Sequence, residues 1–356
     1  MAKELSRREF LRLVAMGAGA AAAGSVLAGC GTPAGTGGTG GASPAAGGAS
    51  PAGGASPAAG GKPLTFVWSP KAVNNPVFDV ARVGAMDKAK ELGITVEWVG
   101  PESADAQKQV QLLDDVITRK VDGIGVSCND PDALKDLIDR AVAAGIPVIT
   151  WDSDSPQSKR TTFYSLDNKK AAQEAAKIFI EVMKDSPNKT YAILTGVPGA
   201  QNLEERITAF REVVDPQGFQ WVATDPCNDD IQKGIEVIEN RMTANPDLGG
   251  WFMAGAWPLF GDINAMPKLL ANKGKTKIVA WDILENELKL LKDGVVQGLI
   301  GQKFYGWGYD AVEILYNIVT KKQQYPPFVD SGLDIVRTPE DADKFLEKWR
   351  TKNWKS

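Results

Sequence analysis

Histidine is absent from this chain of 356 residues, and cysteine occurs only three times. The lack of histidine removes the commonest metal ligand and the commonest general base at neutral pH. Cys128 and Cys227 lie too far apart in sequence, from each other and from Cys30, for a disulfide scaffold or a zinc site. We expect the two internal cysteines to be buried thiols, although the sequence leaves open whether they approach each other. We expect no metal site.

The first 29 residues have the pattern of an export signal. The sequence SRREFL at 6–11 resembles a twin-arginine motif, and an apolar run rich in Ala and Gly follows at 13–29. The run ends in LAGC at 27–30, which resembles a lipobox with Cys30 as the lipidated residue. An uncleaved membrane helix or an ordinary cleaved signal is the alternative, but the run is shorter than the roughly 20 residues of a membrane span. We therefore expect residues 1–29 to be a lipoprotein signal peptide.

Residues 30–62 have the composition of a tether. Gly, Ala, Ser and Pro repeat there without a large apolar side chain to bury, which predicts disorder. Removing the signal peptide takes away four basic and two acidic side chains and leaves a net charge of −6 on the rest. We therefore expect no nucleic-acid partner. From the signal peptide and Cys30, we expect the chain to be held by a lipid on Cys30 at the outer face of the cell membrane, in the periplasm or at the cell surface.

From residue 64 onward, short β-branched and aromatic runs alternate with longer amphipathic ones. This pattern predicts strands at 64–69, 94–99, 123–127, 147–151, 190–195, 219–223, 251–254 and 277–281, with helices between them. The fourth and eighth units end alike, in PVITWD at 147–152 and KIVAWD at 277–282. The alternation indicates an α/β fold with parallel sheets, and the repeat indicates two similar Rossmann-like lobes.

Two aspartates, Asp152 and Asp282, directly follow predicted strands, and each has a tryptophan before it. Ligands of open parallel sheets bind beyond the carboxyl ends of the strands. Either residue alone is also explained as a helix cap or turn residue, but the repetition favours ligand contact. A carboxylate accepts two hydroxyl hydrogen bonds, and an indole covers the apolar face of a sugar ring. Four tryptophans lie at strand ends, of which we expect two to contact ligand and the rest to be core: Trp68, Trp151, Trp257 and Trp281.

Enzyme motifs are missing around these strand ends. No G-x-G-x-x-G follows a predicted strand, so dinucleotide binding is disfavoured and no cofactor is expected. Paired carboxylates can cleave glycosides, but no nucleophile elbow, metal motif or phosphate loop accompanies them, and we assign no catalytic residue. Asp225, Asp229 and Asp230 lack the Gly and closing Glu of a calcium loop, and we expect them to form a solvated helix start.

Four markers resemble the periplasmic sugar-binding proteins of the ribose-binding type: NNP at 74–76, GIPVIT at 145–150, DN at 167–168, and Asp282. The likeness runs over 64–336. It implies the type I periplasmic binding protein fold, in which two Rossmann-like lobes are joined by a three-segment hinge and the sugar lies in the cleft between them. It implies crossings near Leu166, Gln302 and Val336. The N-terminal lobe would then comprise 63–166 plus 303–336, and the C-terminal lobe 167–302 plus 337–356.

The resemblance also implies six sugar contacts: Asn75, Phe78, Asp152, Arg206, Asp282 and Gln302. Asn75 before Pro76 is equally well explained as a helix N-cap. A solvated helix face is the default for Arg206, although a guanidinium grips vicinal oxygens well.

Several positions depart from the ribose-binding pattern, namely Val77, Ser153, Asp229 and Gly255. The sequence DSD at 152–154 is more similar to rhamnose-type and autoinducer-2-type binders, which adds Asp154 to the expected contacts. Lys71, in the loop after the first strand, could replace the missing arginine. We therefore expect a rebuilt pocket in which ribose is not preferred.

The resemblance implies a monomeric extracytoplasmic solute-binding lipoprotein. It would capture a monosaccharide or polyol and deliver it to an ABC permease with its ATPase. A receptor that senses a sugar or an autoinducer-2-like ligand is the alternative, and a carbohydrate-active enzyme is less favoured. A transcription regulator of similar fold is excluded because no DNA-binding helix pair precedes residue 64.

Overall fold

The structure is a computed structural model, and it describes residues 62–354. The expected signal peptide, Cys30 and the tether up to residue 61 lie outside the described residues. Among residues 62–354, no helix has the length and apolar character needed to cross a membrane.

The first lobe is built on a six-stranded sheet in which every pairing is parallel. Its strands are β1 (Thr65–Ser69), β2 (Thr95–Trp98), β3 (Gly123–Val126), β4 (Val148–Trp151), β5 (Phe163–Ser165) and β11 (Phe328–Asp330), in the spatial order β11-β5-β4-β3-β1-β2. Its helices are α1 (Pro76–Leu92), α2 (Ala106–Thr118), α3 (Pro131–Ala143) and α10 (Phe304–Lys321).

The second lobe repeats this design. Its strands are β6 (Thr190–Thr195), β7 (Gln220–Pro226), β8 (Gly250–Met253), β9 (Lys277–Trp281), β10 (Gly298–Gly301) and β12 (Asp334–Val336), in the order β12-β10-β9-β8-β6-β7. Its helices are α4 (Asn168–Val182), α5 (Gln201–Val214), α6 (Ile231–Ala244), α7 (Trp257–Phe260), α8 (Pro267–Ala271), α9 (Glu285–Lys292) and α11 (Pro339–Thr351), with 3₁₀ turns at Asp215–Gln217 and Ile263–Ala265. The pairing of β12 with β10 is antiparallel.

The predicted α/β fold with two lobes is confirmed, and all eight predicted strands are present. Four strands were not predicted: β5, β10, β11 and β12. Three of them, β5, β11 and β12, have only three residues, and β10 has two large apolar residues between glycines, so no strand pattern stands out from the loops around them.

Helix α1, which carries Asn75 at its start, is held against α10 by an unusually close approach of the two backbones. A Cβ added at Gly308 would lie 1.9 Å from the carbonyl oxygen of Ala81, and one added at Gly84 would lie 2.2 Å from that of Tyr305. Only glycine fits at either position, because any side chain would force the helices apart. This contact fixes where the N-terminal end of α1 meets the cleft.

Three short segments carry the chain between the lobes. They lie between β5 and α4, between β10 and α10, and between β11 and β12. The expected third crossing near Val336 is wrong, because β12 pairs with β10 of the second sheet and Val336 lies opposite Leu299. Residues 334–336 therefore belong to the second lobe, and the third crossing lies at 331–333.

Candidate functional site

Asp152 and Asp282 each follow a central strand and have a left-handed backbone, with φ of 60° and 78°. Aspartate tolerates this conformation better than most residues. Backbone hydrogen bonds pin both positions to a neighbouring strand: the Asp152 N–H donates to the Tyr164 oxygen at 3.2 Å, and the Asp282 N–H to the Ile300 oxygen at 2.7 Å. The two carboxylates are therefore held at the carboxyl ends of β4 and β9, in opposite lobes, and both residues are buried.

A hydrogen-bond network joins Asp282, Gln302 and Arg206. Gln302 Nε2 donates to Asp282 Oδ1 at 2.7 Å, and Gln302 Oε1 accepts from Arg206 Nη2 at 2.9 Å. Arg206 also donates from Nε to Asn168 Oδ1 and from Nη1 to the Ala254 oxygen. Its guanidinium carbon lies 4.3 Å from the centroid of a Trp281 ring. Arg206 is only 2% exposed, so the default expectation that it lies on a solvated helix face is wrong.

The charges of this network depend on one another. Burial raises the pKa of Asp282 to about 6, even though Arg206 and Gln302 favour the ionised form, and the nearby Asp152 contributes to the rise. Burial lowers the pKa of Arg206 to about 10, while the carboxylates of Asp282 and Asp152 oppose that change. The charge of Asp152 in the first lobe therefore affects the pKa values of both Asp282 and Arg206 in the second lobe.

The remaining expected contacts of the first lobe are Asp152, Asn75 and Phe78, and all three are buried. Asp152 Oδ2 accepts from Ser127 Oγ at 2.6 Å. Asn75 is the N-cap of α1 and accepts from the Val77 N–H at 3.2 Å, so its structural role is present. Phe78 meets Trp151 edge-on, with ring centroids 5.6 Å apart.

The lobes touch directly through Asn202, a buried residue of α5 that sequence reasoning missed. Its Oδ1 accepts from Lys71 Nζ at 2.9 Å and from Ser153 Oγ at 3.3 Å, and both donors belong to the first lobe. Lys71 thus lies in the cleft as expected, but it meets a protein acceptor there. Nothing in the sequence distinguishes Asn202 from other polar residues in the first turn of a helix.

Asp154 does not join this group. Its carboxylate accepts hydrogen bonds from Arg160 Nε and Nη2, from Thr150 Oγ1 and from the Ser155 N–H, all within the first lobe. Asp154 therefore braces the loop after β4, and the structure gives no support to the expected ligand contact.

The four tryptophans divide into two pairs. All four are buried, Trp281 as completely as Trp68 and Trp151, so their neighbours distinguish them. Trp68 and Trp151 are stacked on each other in the core of the first lobe, with ring centroids 6.1 Å apart and planes 11° apart. Trp281 is covered by the Arg206 guanidinium. Trp257 lies against Gly196 and Gly255, where an added Cβ would come within 2.6 and 2.4 Å of its ring. Trp257 and Trp281 are thus the two that adjoin the cleft.

The expectation that Asp225, Asp229 and Asp230 form a solvated helix start is confirmed for Asp230 alone: Asp225 lies within β7, and Asp229 is half-buried in the turn that follows it. Asp230 does cap α6, and Asp225 pairs with Arg241 at 2.7 Å. Asp229, however, has a φ of 58°, and burial raises its pKa; Lys71 and Arg206 oppose that rise and Asp152 adds to it. The turn that carries Asp229 is bonded to Thr195 and Gly196 at the carboxyl end of β6, and the charges of Lys71, Asp152 and Arg206 are close enough to affect the pKa of its carboxylate. Asp229 lies three residues after the end of β7, an edge strand of its sheet, so its position in the sequence gave little indication of this role.

The cysteines and the acidic residues show no sign of a metal site. Cys128 and Cys227 are both buried and free, which confirms the prediction of two buried thiols. Burial raises the pKa of the Cys227 thiol to about 12, which disfavours the reactive thiolate. Within residues 62–354, no group of three or more metal-binding side chains is placed to hold an ion.

Comparison with known proteins agrees with this geometry. The chain belongs to the periplasmic binding protein domain family, whose model matches residues 66–323. It is 32% identical to an ABC transporter solute-binding protein from Burkholderia graminis, solved in complex with D-arabinose; the match covers 77% of this chain and 95% of that one, with a TM-score of 0.72. A carbohydrate transporter solute-binding protein from Agrobacterium radiobacter, also with D-arabinose, is 26% identical over 80% of this chain and 98% of that one, with a TM-score of 0.74.

Among curated relatives, the ribose import binding protein of Bacillus subtilis is 29% identical over 243 residues, which are 68% of this chain and 77% of that protein. The predicted resemblance to periplasmic sugar-binding proteins of the ribose-binding type is confirmed.

Proposed function

We propose that this protein captures a monosaccharide or polyol between its lobes and delivers it to an ABC importer. The observation that carries this proposal is the buried network of Asp282, Gln302 and Arg206 in the second lobe, next to the contacts of Lys71 and Ser153 with Asn202 and within reach of the charge of Asp152 in the first lobe. The relatives named above bind D-arabinose or serve ribose import, so capture of a sugar by this site agrees with their function. They are binding proteins rather than enzymes.

The chemistry of these groups suits a ligand with many hydroxyls. Asp152 and Asp282 supply acceptors from opposite lobes. Arg206 uses three of its five N–H groups within the described protein and so has two left for ligand oxygens. A buried hydroxyl that finds no partner costs about 1–3 kcal/mol, so the arrangement of donors and acceptors selects among stereoisomers.

Closure of the lobes follows from the same contacts. A ligand that bonds to both lobes stabilises the closed arrangement over the open one, because only the closed arrangement makes both sets of bonds. The direct contact of Lys71 with Asn202 adds to that preference. The difference between open and closed lobes is what the permease would recognise.

We further propose where the protein lies in the cell and in which assembly state. The protein would be a monomer at the outer face of the membrane, held by a lipid on Cys30 and a tether up to residue 62. The motifs SRREFL and LAGC support the export and the lipid anchor. Replacement of Cys30 by Ala should move the protein from the membrane fraction to the soluble fraction of the producing cells; unchanged fractionation would remove the lipid anchor from the proposal.

The site is tested with purified residues 62–356. We would screen pentoses, hexoses, deoxy sugars and polyols by thermal shift and measure the hits by calorimetry. Asp282→Asn should weaken binding of any hit at least about tenfold, because one buried acceptor is lost. Asp262→Asn is the matched control, since Asp262 is exposed and Asn caps a helical turn equally well. Equal affinity of wild type and Asp282→Asn would refute the site, and turnover of a bound sugar would favour an enzyme.

A further inference from the structure

Three aspartates of the cleft share an unusual backbone conformation. Asp152, Asp229 and Asp282 all have a left-handed backbone, with φ between 58° and 78°. Left-handed lysines of the described chain, such as Lys322 and Lys352, end helices, where this conformation is common. The three aspartates instead stand after strands or in a strand-end turn, and such strained positions cluster at functional sites.

The turn that holds Asp229 is fixed to the end of strand β6. The Cys227 N–H donates to the Thr195 oxygen at 2.8 Å, and the Asn228 N–H donates to the Gly196 oxygen at 3.1 Å. Asp229 Oδ1 accepts from the Val197 N–H at 3.2 Å, whereas Oδ2 has no hydrogen-bond partner in residues 62–354. A Cβ at position 196 would lie 1.8 Å from Asp229 Oδ1, so glycine is required there for the carboxylate to reach the cleft.

The cleft contains more negative than positive charge. Lys71 and Arg206 are its basic groups, and both donate to neutral acceptors, namely Asn202, Asn168, Ala254 and Gln302. In the described part of the chain, no lysine or arginine forms an ion pair with any of the three aspartates. Asp152 and Asp282 are buried and Asp229 is half-buried, and withdrawing a carboxylate from water is costly unless the ligand supplies compensating donors or positive charge.

The surroundings of Asp229 indicate which kind of group would compensate it. The same Cβ at position 196 would lie 2.6 Å from the six-membered ring of Trp257, so the indole lies directly beside the Asp229 carboxylate. A carboxylate next to an aromatic ring is the combination that binds an ammonium group, through an ion pair together with a cation–π contact. A hydroxyl at this place would gain only a hydrogen bond.

We propose that Asp229 is a third ligand-binding carboxylate and that, with Trp257 beside it, it gives the cleft a preference for an amino sugar or amino polyol over its neutral hydroxyl counterpart. This inference rests on the proposed function, since it concerns the ligand of the same cleft. It adds a residue and a ligand class to that function.

The test uses matched ligand pairs on purified residues 62–356. Calorimetry at pH 7 would compare glucosamine, galactosamine, mannosamine and 1-amino-1-deoxysorbitol with glucose, galactose, mannose and sorbitol. At least one amine should bind about tenfold or more tightly than its neutral partner. Asp229→Asn should reduce that ratio to near one by weakening the amine alone. Asp230→Asn is the control: it makes the same change one residue away, at an exposed N-cap where Asn serves equally well.

The possible results separate this inference from the proposed function. If no sugar or polyol of any kind binds the wild type, the proposed function fails. If neutral sugars bind and their amines bind no more tightly, the inference is overturned and the function stands. A variant Asp229→Asn that weakens both members of a pair equally, or neither, also overturns it. Thermal unfolding of both variants near the wild-type temperature would exclude misfolding as the cause.

Discussion

The raised pKa of Asp282 predicts that sugar affinity falls in mildly acidic solution. Sugar hydroxyls donate to the ionised carboxylate, so the ligand binds the deprotonated form best. With a pKa of about 6, the ionised fraction of Asp282 in the ligand-free protein falls about tenfold between pH 7 and pH 5. The dissociation constant should therefore rise by about tenfold over this interval, with most of the change below pH 6.

The stability of the ligand-free protein should change in the opposite direction. Asp282 has a higher pKa in the folded protein than in the unfolded chain, so the folded state holds its proton more tightly. This group therefore destabilises the fold as pH rises from about 4 through about 6, and lowering the pH from 7 to 5 should recover about 1 kcal/mol. Burial also raises the pKa of Glu287, and the nearby Asp282 adds to that rise, so the relevant quantity is the difference between wild type and Asp282→Asn.

Two measurements check this prediction. Calorimetry at pH 7, 6 and 5 gives the affinities, and thermal unfolding at the same three values gives the stabilities of wild type and Asp282→Asn. The variant should bind weakly at all three values, without the tenfold change. The reasoning is refuted if wild-type affinity is constant from pH 7 to pH 5, or if Asp282→Asn keeps the full pH dependence.

Three further substitutions test the site and the fold. Arg206→Lys removes the planar fork that joins Asn168 and Gln302, and calorimetry should show a loss of affinity of about tenfold or more; unchanged affinity would mean that the guanidinium does not bind ligand. Asn202→Ala removes the interlobe acceptor and should weaken binding by about threefold to tenfold, mainly through faster dissociation in stopped-flow fluorescence. Gly308→Ala forces α1 and α10 apart and should lower the free energy of unfolding by about 1–3 kcal/mol in denaturant titration; an unchanged value would contradict the close approach.

Much of the fold and the two principal carboxylates were predictable because they repeat. Strands of four to seven residues between amphipathic helices are a local pattern, and eight of the nine in residues 62–354 were found from the sequence. Asp152 and Asp282 were found because each ends a similar strand in each half. The position of β12 was not predictable in the same way, since a three-residue strand has no pattern of its own and its lobe is decided only by pairing with β10.

The missed residues depend on contacts between distant parts of the chain. Asn202 matters because Lys71 of the other lobe reaches it, and nothing local to either residue indicates that pairing. Asp154 follows a strand as a ligand-binding residue would, but its carboxylate accepts two hydrogen bonds from Arg160. Asp229 was grouped with Asp225 and Asp230 by composition, whereas backbone conformation separates the three.

The left-handed backbone of the cleft aspartates also restricts which sequences this site can adopt. Few residues other than Gly, Asn and Asp hold such a backbone at low cost, so Asp152 and Asp282 have a short set of tolerated replacements. Ser153 and Val77, by contrast, have no left-handed backbone, so backbone conformation does not restrict their side chains in this way. A protein of this design would therefore acquire a new ligand by changing the neighbours of its aspartates, while positions 152 and 282 remain Asp, Asn or Gly.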